Sequence, residues 1–246
     1  MSFDASSSRA DEPTRAPLYE IRPVTGKGRG IVACSNIPKG TRILCEKPLL
    51  TLATEIDSLD DNIERKVRAL SKDQLRQYLS LYNTHTNGNA FTGIFQTNAL
   101  PCESTPPTVG IFPTICLINH SCVPNSQHSW NSMKNSQMIH AVRDIEEGEE
   151  ITICYGKQGA FDARHDFLIE SFGFECDCSV CSLPTPERQE SDARRIRIEQ
   201  LDKVMGNMER AVSKPGITIS ADPILRHISL SRDSKHNLSD RNQTRE

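Results

Sequence analysis

The segment Asn119-His-Ser-Cys-Val-Pro-Asn125 sets Asn119, His120, Ser121 and Asn125 directly behind the apolar run Ile111 to Ile118. So many hydrogen-bonding side chains beside a core are costly unless each is satisfied. A polar turn accounts for Pro124 and Asn125, but gives little reason for Asn119 and His120. The plain reading of His120 is a neutral structural histidine. Downstream, Cys176-x-Cys178-x-x-Cys181 places three thiols on one turn-like stretch with Gly173, Asp177 and Ser179 around them. That spacing suits a tight loop wrapped round a tetrahedral ion, and coincidental buried thiols are the alternative. Cys122 is the best fourth ligand, because it lies in a polar, turn-rich segment. Cys34, Cys45, Cys116 and Cys154 sit in apolar strand-like runs and read as small core hydrophobes.

Working outward, the chain of 246 residues carries nine cysteines, an odd number that fits thiolate–metal chemistry in a reducing compartment better than a disulfide framework. Its net charge of −3 supplies no basic field for gripping phosphates, so direct nucleic-acid binding is not expected. No stretch reaches the length of an apolar membrane span, and residues 1–17 have no apolar signal region and read as a disordered tail.

Strands are expected at Leu18–Ile21, Gly30–Cys34 and Arg42–Glu46, forming a small meander. Gly26-Lys-Gly-Arg-Gly30 is either a plain turn or a backbone-lined ligand rim. It is no dinucleotide or P-loop, since Ile31 and Val32 continue as a strand. Two helices are expected between 57 and 83, the second opened by the capping box Ser71-Lys-Asp-Gln74. Met138–Val142 and Ile151–Tyr155 read as strands joined by the acidic turn Glu146-Glu-Gly-Glu149. Asp162 is expected to cap a helix ending before Gly173, with Phe161 as its staple residue. A polar helix from Pro186 to about Val212 carries an apolar stripe at Ile198, Leu201, Val204, Met205, Met208 and Val212, expected to dock on the domain or on another chain. The tail at 213–246 is polar and unpatterned.

Taken in order, Gly28-Arg-Gly-Ile-Val-Ala33, Ile37-Pro-Lys-Gly40, Asn119-His-Ser-Cys-Val-Pro-Asn125, Ile145-x-x-Gly-Glu-Glu-Ile-Thr-Ile-Cys-Tyr155 and Phe172-Gly-Phe-Glu-Cys-Asp-Cys-Ser-Val-Cys181 resemble a SET domain with its post-SET zinc loop, closest to SMYD-like lysine methyltransferases. The resemblance covers roughly residues 18 to 183. It implies a mostly β fold with inserted helices, in which the Asn119 segment threads under the strand pair ending at Tyr155 to form a pseudoknot. The implied divisions are a SET domain over 18–175 with a helical insert at 51–90, a post-SET zinc loop at 176–183, and a C-terminal helix at 184–212. The insert contains no cysteine, so the cysteine-rich MYND zinc module of SMYD proteins has no counterpart there.

By the same resemblance, S-adenosyl-L-methionine contacts Lys27, Arg29, Asn98, Asn119, His120, Tyr155 and Phe174. Tyr155 stands at the methyl-transfer site, and Phe172 takes a channel position where many relatives have tyrosine. Zinc is held by Cys122, Cys176, Cys178 and Cys181. The implied activity is methylation of a lysine side chain on a protein, histone or non-histone, by an intracellular enzyme of nucleus or cytoplasm, expected to be a monomer. The other two readings are an inactive zinc-stapled interaction module and an S-adenosylmethionine-binding sensor.

Overall fold

The computed structural model describes residues 17–54, 58–102, 107–156 and 159–212, with side chains up to Met205. Residues 1–16 of the expected N-terminal tail, the expected tail at 213–246, and the side chains of Met208 and Val212 lie outside the described residues.

Ten strands, five helices and a 3-10 turn follow in the order β1 (Tyr19–Val24), β2 (Gly28–Ala33), β3 (Arg42–Glu46), β4 (Leu50–Ala53), α1 (Leu59–Arg68), α2 (Lys72–Leu79), α3 (Ala90–Asn98), β5 (Leu100–Cys102), β6 (Thr108–Ile111), the turn at Ile115–Leu117, β7 (Asn119–His120), β8 (Ser126–Asn131), β9 (Ser136–Ala141), β10 (Glu150–Ile153), α4 (Phe161–Phe172) and α5 (Thr185–Val212). They build three small sheets, ordered β1-β2-β10-β7, β3-β9-β8 and β4-β6-β5.

The expected meander is corrected: β1 and β2 form a hairpin, but β3 leaves for another sheet and pairs with β9. Likewise the strands flanking the acidic turn do not pair with each other. β9 lies between β3 and β8, whereas β10 sits antiparallel to β2 and parallel to β7. The physical reason is that β2 and β10 are both buried along Ile31–Ala33 and Ile151–Ile153, and each needs a neighbour on both sides to satisfy its backbone.

Two apolar clusters result. One gathers Ile31, Ile37, Phe112, Ile115, Ile118, Ile139, Ile145, Ile151 and Ile153 between the first two sheets. The other packs Ile63, Val67, Tyr78 and Phe95 of the helices against Leu52, Val109 and Ile111 of the third sheet. Cys116 and Leu117 touch both clusters, so the 3-10 turn joins them. Glu46 at the end of β3 fixes that turn by accepting hydrogen bonds from the amides of Thr114 and Ile115 at 2.9–3.1 Å.

The capping box forms as expected. Ser71 Oγ accepts from the Gln74 amide at 3.3 Å while Gln74 Oε1 accepts from the Ser71 amide at 3.0 Å. α4 departs from expectation at its start, since Ala160 is the N-cap and Asp162 lies in the first turn, where its charge suits the helix dipole. Phe161 is then the first helical residue and not a staple; its ring carries the Arg188 guanidinium 4.2 Å above the centroid. α4 ends at Gly173 in the left-handed region, as the sequence predicts. Cys45 is exposed, so it is not the core hydrophobe expected, and Cys34, Cys116 and Cys154 are half-buried; outside the four-cysteine cluster the buried thiol is Cys102, on β5.

Candidate active site and thiolate cluster

β7 brings Asn119 and His120 into parallel register with Thr152 and Ile153 of β10. The chain on either side of this two-residue strand is clamped. Asn125 is 1% exposed, and its Nδ2 donates to the Glu150 carbonyl at 2.8 Å and to Glu149 Oε1 at 3.0 Å. Its Oδ1 accepts from the Thr152 amide at 2.8 Å. Asn125 is therefore no ordinary turn residue, and the buried polar groups of this segment are satisfied as their position demands.

The imidazole of His120 accepts at Nδ1 from the Tyr155 amide, 3.0 Å away. A neutral ring with Nδ1 as acceptor carries its proton on Nε2, which faces Cys122 Sγ at 3.3 Å and donates to it. Burial pushes the His120 pKa down to about 4, keeping the ring neutral. His120 thus links Tyr155 to the cysteine cluster.

The Tyr155 hydroxyl donates to the Ile118 carbonyl at 2.8 Å. Its ring lies 4.8 Å from Phe172, 5.2 Å from His120 and 6.4 Å from Phe174, centroid to centroid. Burial, with Cys116 and Glu150 adding to it, raises the phenol above its ordinary range, so Tyr155 acts as a donor and not as a base.

A hydrogen-bond circuit gathers the remaining expected cofactor contacts. Asn119 Nδ2 donates to the Arg29 carbonyl at 3.2 Å and to Glu150 Oε1 at 2.8 Å, and Lys27 Nζ reaches Glu150 Oε2 at 3.1 Å. The Arg29 guanidinium donates to the Ser80 carbonyl. Asn98 at the end of α3 donates to the Tyr82 carbonyl at 2.7 Å, and its own carbonyl accepts from Cys116 Sγ. Lys27, Arg29, Asn98 and Asn119 are thereby joined through Ser80–Tyr82 and Glu150.

Neither Glu150 nor the 80–82 segment was singled out as part of the site by the sequence. In sequence, Glu150 merely follows the acidic turn Glu146-Glu-Gly-Glu149 as one more charge. The signal available was its place at the start of a strand following that turn. The close approach also explains Gly30: a Cβ there would stand 2.6 Å from Val24 Cγ2 and 2.8 Å from Asn119 Nδ2.

Cys122, Cys176, Cys178 and Cys181 offer sulfur atoms that all lie within 4.8 Å of one another. Cys122 Sγ is 3.9 Å from Cys176 Sγ and 3.6 Å from Cys181 Sγ. A tetrahedron with Zn–S bonds of about 2.3 Å has edges of about 3.8 Å, so the donor set fits one zinc ion. The three neighbouring sulfurs hold the Cys178 thiol below its ordinary range. A surface groove of about 620 Å³ lies between β4, α1 and Trp130, and none of these site residues lines it.

This fold and site define a class. The SET domain profile matches residues 28–156, more than half of the chain, and the protein belongs to the SET-domain family. Among curated proteins, "Histone-lysine N-methyltransferase set5" of Schizosaccharomyces pombe is 35% identical over 199 residues, which is 80% of this chain and 60% of that protein. "Histone-lysine N-methyltransferase SMYD3" of Homo sapiens is 42% identical over 86 residues, 35% of this chain and 18% of its own length. "Protein-lysine N-trimethyltransferase SMYD5" of Homo sapiens is 32% identical over 133 residues, 52% of this chain and 28% of its own. The chain thus spans at most 60% of the length of these relatives.

Proposed function

We propose that the protein transfers methyl groups from S-adenosyl-L-methionine to the ε-amine of a lysine on a protein substrate, histone or non-histone. The observation that carries this reading is Tyr155, its hydroxyl held by the Ile118 carbonyl and its ring packed among those of Phe172, His120 and Phe174. Tyr155 is the catalytic residue, and Phe172 lines the amine channel.

The donor set fits the methyl donor. Lys27 and Arg29 provide cations for a carboxylate, Glu150 provides a carboxylate for an amine, and Phe174 provides a face for an adenine ring. Lys27, Arg29, Asn98, Asn119, His120, Tyr155 and Phe174 would hold it. When bound, it supplies an electrophilic methyl on a positively charged sulfur.

A free lysine amine, with a pKa of about 10.4, is protonated at neutral pH. The apolar channel lined by Phe172 desolvates it and favours the neutral form, so no dedicated base is needed. Tyr155 and the Ile118 carbonyl orient the neutral amine, and alignment within about 3–3.5 Å supplies the acceleration. Phe172 lacks the hydroxyl of a channel tyrosine, which leaves room for methylation beyond the first step.

Zinc held by Cys122, Cys176, Cys178 and Cys181 serves structure: Cys122 follows the Asn119–His120 strand, and the other three follow Phe174. All nine cysteines are free, which supports a reducing location in nucleus or cytoplasm, and no described helix is long and apolar enough to cross a membrane. The protein works as a monomer, and its charge of −3 argues against direct nucleic-acid binding.

Calorimetry with S-adenosylmethionine, followed by methyl incorporation into a lysine-bearing protein library, tests the reading. Binding with incorporation supports the enzyme, binding alone a sensor, and neither an interaction module. Tyr155→Phe should keep cofactor affinity and lower turnover at least about tenfold, the equivalent of about 1.4 kcal/mol of transition-state alignment. Unchanged turnover removes Tyr155 from the mechanism.

A further inference from the structure

Arg164 on α4 is 2% exposed, the largest fully buried side chain in the described protein. A buried guanidinium is costly unless charge and hydrogen bonds surround it. Asp192 of α5 is one partner, at 3.2 Å from Nη1, and the Gly159 carbonyl also accepts from Nη1. An arginine paired only with a carboxylate usually presents both nitrogens of its fork to it. Here the fork is split: Nη2 turns away to Cys181 Sγ, 3.9 Å distant, and Nε is buried with no hydrogen-bond partner. A second arginine, Arg195 of α5, donates to the Cys122 carbonyl at 3.0 Å.

Four thiolates around one zinc ion leave the site with two net negative charges. Lys27, on the other flank, is already paired with Glu150 and Asp177. We propose that Arg164 is the charge-compensating residue of the thiolate cluster, holding Cys181 in its zinc-bound form and tying α4 and α5 to the metal. This rests on the zinc reading above. Its N–H donation draws electron density from the Cys181 sulfur, which slows both protonation and attack by electrophiles.

The test uses the full chain purified with zinc. Arg164→Met should weaken zinc retention by about 10- to 100-fold, the usual effect of removing a group that orients a metal ligand, read by zinc transfer to a chromogenic chelator. Alkylation by iodoacetamide, read cysteine by cysteine by mass spectrometry, should rise at Cys181 above Cys176 and Cys178. Arg164→Lys keeps the charge and should fall between. Asp192→Asn leaves Cys181 as the sole anionic partner of the guanidinium and should not speed zinc transfer. A merely structural Arg164–Asp192 pair would lose the same from either end. Should Arg164→Met fail to fold, Arg164→Lys and Asp192→Asn decide the matter. Zinc transfer equally fast in both, or a uniform rise in alkylation at all four thiols, overturns the proposal. Wild-type protein without zinc would instead overturn the metal reading itself.

Discussion

Asn125 and Glu149 show how single side chains hold the site. Glu149 accepts from Arg143 Nη1 at 3.1 Å and from Asn125, and these contacts hold its carboxyl below the ordinary range. Because the folded pKa is depressed, the stabilisation is present above the unfolded carboxyl value and is lost as pH falls below about 4. The Arg143 partner is half exposed, so the effect is small. Denaturant titrations of wild type and Glu149→Gln should therefore differ at pH 7 and converge in acid; a difference that stays constant from pH 7 into acid contradicts this. Gly30→Ala drives a methyl against Val24 and Asn119 and should cost about 1–3 kcal/mol, with cofactor affinity falling alongside. An unchanged unfolding midpoint would show that the hairpin gives way freely. At this scale the cysteines were legible, because metal spacing is written locally. Glu150 was not, since its partner Lys27 lies 123 residues away in the chain.

α5 begins tightly held and ends exposed. Arg188 covers Phe161, Asp192 meets Arg164, and Ser191 is buried. Beyond that point Ile198, Leu201, Val204 and Met205 are 44 to 60% exposed, so the stripe does not dock on the described domain as its pattern had suggested. Leu201→Asp should accordingly change monomer stability by no more than about 0.5 kcal/mol, whereas Asp192→Leu should cost more. Equal losses from chemical denaturation would mean that the stripe is covered after all. Periodicity announces that a helix has an apolar face but not what meets it, which is why α5 is readable as an element while the partner of its stripe is not. α3 escaped for the opposite reason: Thr92, Gly93, Ile94 and Phe95 are consecutive and buried, so no polar face marks the period. β8, Ser-Gln-His-Ser-Trp-Asn, is a polar edge strand whose pairing with β9 supplies what its composition does not.

For the molecule as a whole, the thiolate cluster ties Cys122 to a loop 54 residues further on. Closing a loop of that length is worth on the order of 3 kcal/mol, so chelation should lower the thermal midpoint by roughly 10 °C and restored zinc should recover it. A scan unmoved by chelator would return the four sulfurs to ordinary thiols. The family was visible in the order of its motifs, whereas the allocation of strands to three sheets was not, because each pairing depends on which distant edge remains open.

That allocation also governs how the chain comes into being. Ile31 faces Ile151 across β2 and β10, so the sheet carrying the candidate site unites nearly the first and nearly the last strand residues of the domain. During synthesis, β2 leaves the ribosome with one edge open and must wait for about 120 further residues before its partner emerges, several seconds at about 5–20 residues per second. The β4-β6-β5 sheet and its helices draw on nearer neighbours and can assemble during that interval. The candidate site is therefore completed only late in synthesis, and a nascent chain halted before β10 exposes the Ile31 edge to any passing strand.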